Sequence, residues 1–148
     1  MTVQMDMTLD QLAENFELLG DWDARFDYLI DLGRGLRPLA EAEHCEANRV
    51  HGCQAQVWLI MRRRADSEII DITADSDAFI VKGLIAVLLM MYSGRSAAEI
   101  LAIDGVAAMS RLGLDQHLSP TRKNGLFSML KRIRQLATEI AAQHEPTP

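Results

Sequence analysis

The chain has 148 residues, 49% of them apolar, with 15 basic residues against 21 acidic ones and a formal net charge of −6. That length suits one domain better than two, and the apolar share is enough to bury a core, which excludes a disordered or low-complexity chain. The basic residues are spread along the chain, which argues against nucleic acid or an anionic membrane as the main partner. Only two cysteines occur, too few for a disulfide framework.

Met1 to Asp10 is acidic and lacks the basic-then-apolar pattern of a secretory signal. The first helix is predicted from Thr8 and Gln11, a capping box ahead of Leu9, Leu12, Phe16 and Leu19 at helical spacing. A second starts at Asp21 and carries Trp22, Phe26, Leu29 and Ile30 on one face, with Gly33 or Gly35 as its stop and Pro38 beyond. Glu41 to Asn48 is polar and reads as a connecting loop.

Strand formers then take over. Val57, Leu59 and Met61 alternate with Gln56, Trp58 and Ile60, and the Arg62-Arg63-Arg64 run leads out to a turn at Ala65-Asp66-Ser67. Glu68 to Thr73 makes a second strand, and Asn48-Arg49-Val50 is expected as a short third. Gly52 then falls in a tight turn, which puts Cys53 at or beside a hairpin tip.

Helices return after Ser76, with Asp75 and Asp77 expected as caps. Phe79, Ile80, Leu84, Val87, Leu88 and Met91 are apolar nearly all round, so this helix is the expected buried centre, ended by Gly94. The apolar run Ala78 to Tyr92 is broken by Lys82 and is shorter than the roughly 20 residues a bilayer span needs. Ser96 and Glu99 form a second capping box, another short helix ends near Gly113, and Ser119-Pro120 opens a long final helix striped by Leu126, Leu130, Ile133, Ala137 and Ile140. The expected class is α+β: a small antiparallel sheet packed against several helices, in one domain whose core spans about residues 8–142 between loose ends. No membrane segment is expected, and the setting is read as cytoplasmic and reducing, with free thiols.

Cys53 follows Gly52, which lets the backbone turn sharply and present a thiol at an apex. A thiol attacks only as thiolate, and His51 is the nearby group that could stabilise one. The same cysteine fits equally well as a small buried apolar residue. Cys45 stands between His44 and Glu46, where carboxylates blunt a thiol, and reads as an incidental loop cysteine. His44, Cys45, His51 and Cys53 are the right residue types for zinc, but adjacent His44 and Cys45 cannot easily both face one ion and no Cys-x-x-Cys knuckle exists. Arg122 lies in the first turn of the final helix, where the helix dipole disfavours a cation; it is either solvated surface or a mark of function. Phosphate loops, dinucleotide glycine fingerprints and nucleophile elbows are absent from the sequence.

Three segments together resemble the SufE family of sulfur acceptors in iron–sulfur cluster biogenesis. They are Val50-His51-Gly52-Cys53-Gln54-Ala55-Gln56-Val57-Trp58; Asp75-Ser76-Asp77-Ala78 running into Ile80-Val81-Lys82-Gly83-Leu84 and on to Tyr92-Ser93-Gly94; and His117-Leu118-Ser119-Pro120-Thr121-Arg122 with Asn124-Gly125-Leu126 and Met129 following. Trp22 and Leu32-Gly33 add to the likeness, which spans roughly residues 8 to 140 in order. The resemblance implies a curved three-stranded sheet backed by helices, as in NifU-like scaffold domains. It makes Cys53 the persulfide-bearing cysteine and Arg122 an arginine near the active loop. It also implies sulfur taken from a pyridoxal-phosphate cysteine desulfurase of SufS or CsdA type, stimulation of that enzyme, and delivery to a SufBCD-type scaffold complex. A homodimer is left open, and no resident cofactor or metal is implied. The family usually has serine where this chain has Ala55, and Cys45 has no family counterpart. The rival from another class is a redox protein in which Cys45 and Cys53 cycle through a disulfide.

Overall fold

The structure, a computed structural model, describes residues 7–144; the expectation of loose ends lies outside them. Helix α1 (Leu9–Leu19) begins on the predicted box: the Gln11 N–H donates to Thr8 Oγ1 at 3.1 Å and the Thr8 N–H to Gln11 Oε1 at 2.9 Å. Two donors that a helix start would orphan are thereby satisfied, and the face so fixed buries Leu12 and Phe16. Helix α2 (Trp22–Arg34) is capped by the Asp21 carboxylate and runs through Gly33 to end at Gly35.

Gly33 is therefore a packing residue and not the helix stop. A Cβ there would lie 2.6 Å from the Gly83 nitrogen of α3 (Phe79–Tyr92), and a Cβ at Gly83 would lie 2.5 Å from the Leu29 oxygen. The two backbones cross in direct contact, which only paired glycines allow. On α3 every residue except Phe79, Ile80 and Lys82 is buried, so this helix is the centre of the molecule. Each large side chain buried there contributes about 1.5–3 kcal/mol of transfer free energy.

Between α2 and the sheet lie two 3-10 turns, Glu41–Glu43 and Glu46–Asn48, where a plain loop was expected. Strands β1 (Val57–Arg63) and β2 (Ile69–Ser76) pair antiparallel, with Val57 opposite Ser76 and Arg63 opposite Ile70. The third strand is not Asn48–Val50 but β3 (Arg95–Ser96), on the far edge of β2, giving the order β1-β2-β3. Asn48 ends a 3-10 turn, its Nδ2 donating to the Glu43 carbonyl at 2.9 Å, so extension begins only at Arg49. One rung to Trp58 fits before the chain turns at Gly52.

β2 also runs past Thr73 to Ser76, taking Asp75 out of its expected capping role. The cap of α3 is Ala78, without a side-chain bond; Ser76 Oγ accepts the Ala78 N–H at 3.2 Å, while Asp75 faces His44. Helix α4 (Ala97–Ala102) carries the Ser96/Glu99 box as predicted. Helices α5 (Gly105–Arg111) and α6 (Leu114–His117) are separated at Gly113, whose φ of +77° lets the chain turn within one residue. Helix α7 (Pro120–His144) closes the fold, burying Leu126, Met129, Leu130, Ile133 and Ala137. Helices and sheet share one buried cluster, and no helix among the described residues is long and apolar enough to cross a membrane.

Candidate functional site

The site is built where the loop between Arg49 and β1 meets the start of α7. The loop is pinned at both feet. At one, the Val50 N–H donates to the Val57 carbonyl at 2.8 Å. At the other, the Gln56 N–H donates to Asp77 Oδ1 at 2.9 Å and the Asp77 N–H returns to the Gln56 carbonyl at 3.3 Å. Between them Gly52 sits at φ +93°, which side chains rarely tolerate, and turns the backbone so that Cys53 faces inward.

The opposing wall is the first two turns of α7. Ser119 caps the helix, accepting the Arg122 N–H at 3.3 Å, and Pro120 occupies its first position. This places Gly125 against the loop, and the Cys53 S–H donates to the Gly125 carbonyl at 3.5 Å. A Cβ at Gly125 would stand 3.5 Å from Cys53 Sγ, in ordinary van der Waals contact, so α7 packs closely on the thiol at this point. Cys53 opens on a cavity of about 270 Å³ with an apolar wall of Ala78, Val81, Leu84, Leu126 and Met129. Gln54, Ser119, Thr121 and Arg122 supply the polar part of its lining.

The electrostatics favour a resting thiol. Burial pushes the Cys53 pKa up, and the Arg49 charge opposes this without cancelling it. The carbonyl partner acts in the same direction as burial, since it accepts from a thiol but repels a thiolate. The site thus holds a nucleophile in its inactive protonation state, in a recess that limits access to it. Arg122 is exposed at this recess, and no carboxylate among the described residues pairs with it.

The SufE model, described as an Fe-S metabolism associated domain, matches residues 10–137. This chain belongs to the SufE family. An uncharacterized SufE-like protein of Rhizobium etli is 46% identical over 137 residues, covering 91% of this chain and 93% of that one. An uncharacterized SufE-like protein of Rhizobium meliloti is 40% identical over 132 residues, covering 88% and 94%. The solution structure of a hypothetical protein from Thermus thermophilus superposes with a TM-score of 0.71 at 20% identity, over 92% of this chain and 99% of that one. That last likeness bears on the fold alone.

In this SufE chain the sequence candidates separate. Cys53 and Arg122 line one cavity, although they lie far apart in sequence. His51 does not join them: its side chain is 73% exposed and its Nε2 stands 2.6 Å from Glu46 Oε2, so its partner is a carboxylate and not the thiol. Gly52 reverses the chain between the two residues, which sends neighbouring side chains to opposite sides. Cys45 is exposed, with Asn48 Nδ2 donating to its sulfur at 3.4 Å. His44 is taken by Asp75 at 2.8 Å and packs edge-on against Trp58, with ring centroids 4.7 Å apart. Among the described residues no three His, Cys, Asp or Glu side chains converge to hold a metal ion. Ala55 lines the cavity with a methyl group where the SufE pattern usually has a hydroxyl, which makes this seat more apolar. Sequence reasoning missed Arg49 and the Gly125 carbonyl. Neither had a signal, because both act through contacts that only the tertiary fold creates.

Proposed function

We propose that Cys53 accepts sulfur as a persulfide from a pyridoxal-phosphate cysteine desulfurase and passes it to an iron–sulfur scaffold complex. The carrying observation is the half-buried Cys53 on a glycine-turned loop, seated against Gly125 in an apolar recess, in a chain whose family is tied to Fe–S metabolism. Cys53 first loses its proton. Its thiolate then donates an electron pair to the outer sulfur of the donor's persulfide, a new S–S bond forms as the old one breaks, and the donor cysteine leaves as thiolate. The sulfur is cargo, and the reaction needs no resident cofactor.

A recessed thiol cannot reach into a partner's pocket, so the loop swings out on docking. At rest the recess shields the sulfur from oxidants and reductants. Removing sulfur from the donor accelerates the desulfurase without any small-molecule turnover by this chain. The deciding experiment is intact-mass measurement after incubation with a desulfurase and cysteine. One added sulfur on Cys53, removable by reductant, is expected; absence of that mass, or full stimulation by Cys53→Ser, rejects the proposal. Amide exchange of residues 49–56 should quicken when the desulfurase is added, and unchanged protection would remove the loop movement.

A further inference from the structure

Two patches away from the Cys53 recess carry unpaired charges around exposed apolar side chains. The first is a groove of about 740 Å³ between α5 and α7. Val106, Phe127 and Leu130 form its apolar part, and Lys131 and Arg134 stand beside them, with Glu139 at one end. None of the cations on α7 pairs with a carboxylate among the described residues. Arg134 donates to the Leu101 carbonyl at 3.0 Å, and Lys123 stands over the Phe127 ring, 5.9 Å from its centre. The second patch is the end of α1. Glu14, Glu17 and Leu18 share one face of that helix by their spacing, and Asp21 follows just past its end. Leu18 is 86% exposed, and no cation among the described residues pairs with Glu14 or Glu17.

One exposed leucine or valine is ordinary on a protein surface. Here three of the four large apolar side chains exposed among the described residues, Leu18, Leu19 and Val106, fall within these two patches. The patches also match in sign and in form: a helix end ringed by carboxylates, and a groove flanked by cations. We propose that the end of α1 in one copy docks into the α5–α7 groove of a second copy of this chain. Leu18 seats against Val106 and Phe127, and Glu14 and Glu17 face Lys131 and Arg134. Each patch then buries the apolar group and pairs the charges that it leaves open in one copy alone. The contact is heterologous, because it joins two different surfaces, so a pair still has one free groove and one free α1 end. Assembly therefore goes on until a ring closes or the protein is diluted. Exposed ion pairs contribute little each, so the contact is weak, fast to form and sensitive to salt. It leaves the thiol accessible: on α7, Gly125 and Met129 line the Cys53 recess, whereas Phe127, Lys131 and Arg134 line the groove.

The test is sedimentation velocity on the full chain under reducing conditions, which keep the exposed Cys45 from cross-linking copies. Concentrations run up to about 1 mM, enough to populate a contact with a Kd of that order. Ionic strengths of about 0.01 M and 1 M give screening lengths of about 30 Å and 3 Å. The mean mass should rise with concentration at low salt and return to that of one chain at high salt. Leu18→Asn removes the apolar tip and Lys131→Glu reverses a groove charge; each should raise the Kd about tenfold or more and stay monomeric. Both residues are exposed, and unchanged thermal melting checks that each variant folds. Mixed in equal amounts, the two variants should associate again, because the first keeps the groove and the second keeps the α1 end. That mixture has one good contact per pair, so its mass should stop at twice that of one chain. A wild-type chain that stays monomeric at about 1 mM and low salt overturns the proposal, as does association of either variant at wild-type strength. A mixture that stays monomeric also overturns it, since mixing must restore a contact between these two surfaces.

Discussion

Gly52→Ala tests whether the loop geometry sets the reactivity of the thiol. The new Cβ faces two penalties. At φ +93° a residue with a Cβ costs about 1–2 kcal/mol relative to glycine. The Cβ would also run into the Ser128 hydroxyl, and moving that side chain off its preferred rotamer adds about 0.5–1.5 kcal/mol. The sum is about 1.5–3.5 kcal/mol, or about 3–14 °C in Tm for a domain of this size if the penalty falls on global unfolding. If the loop yields locally instead, Tm falls less and Cys53 leaves its seat, so alkylation at neutral pH accelerates. Circular dichroism melting and iodoacetamide kinetics, run on one sample, read both channels. Ser128→Ala in the same chain should recover most of the steric share, the Ser128 Cβ still lying 3.3 Å away, and leave the backbone share set by the φ of +93°. Wild-type values for both melting and alkylation in Gly52→Ala would refute the reasoning.

Other outcomes follow from the same geometry. Gly83→Ala puts a methyl group into the Leu29 backbone and should destabilise by about 3 kcal/mol or more, read by urea unfolding; a loss under about 1 kcal/mol would mean that α2 and α3 can separate freely. The hydrogen bond to Asp75 raises the His44 pKa above 6.5, so its contribution is full below 6.5 and fades as pH rises through the higher folded value. Burial pushes the Asp75 carboxyl up, but the His44 bond, the Ser76 N–H and the Lys82 charge together hold it below 3.8, so its share is full above 3.8 and fades as pH falls through the folded value. His44→Gln should therefore flatten the alkaline decline in the urea midpoint, and an unchanged decline would place its origin elsewhere. Arg122→Ala should slow sulfur loading while leaving Tm unchanged, since no carboxylate among the described residues pairs with it; equal loading would return Arg122 to plain surface. Unfolding in urea should speed Cys53 alkylation at neutral pH by removing the burial that raises its pKa, and equal rates folded and unfolded would contradict that cause.

The legible parts of the fold were those written in local chemistry. The caps at Thr8, Asp21, Ser96 and Ser119 and the apolar run of α3 appear where periodicity and capping put them. Misreadings came where tertiary contact overrode local preference. Of the two glycines offered as the stop of α2, Gly35 is the cap, while Gly33 serves as a crossing point, because its lack of a side chain is used by α3. Asp75 looks like a cap and is drawn into β2 by its register with Trp58 and by His44. The two-residue strand β3 is too short to have a period, and its pairing to β2 depends on the chain turning at Gly94, whose N–H donates to the Ile70 carbonyl at 2.8 Å. At the site, Cys53 and the Gly52 turn were readable from neighbours in sequence. The recess, Arg49 and the misdirected His51 were not, because each depends on which way a side chain leaves the turn.

The seat of the thiol joins residues 72 positions apart, Cys53 and Gly125. A ribosome adds about 5–20 residues per second, so Cys53 is made roughly 4–14 s before the carbonyl that will receive it. Through that interval a newly made chain lacks the carbonyl seat of its sulfur nucleophile, and α7 serves as the safety catch once it folds. Pulse alkylation of ribosome-stalled chains should label Cys53 readily until α7 has cleared the exit tunnel and only slowly afterwards.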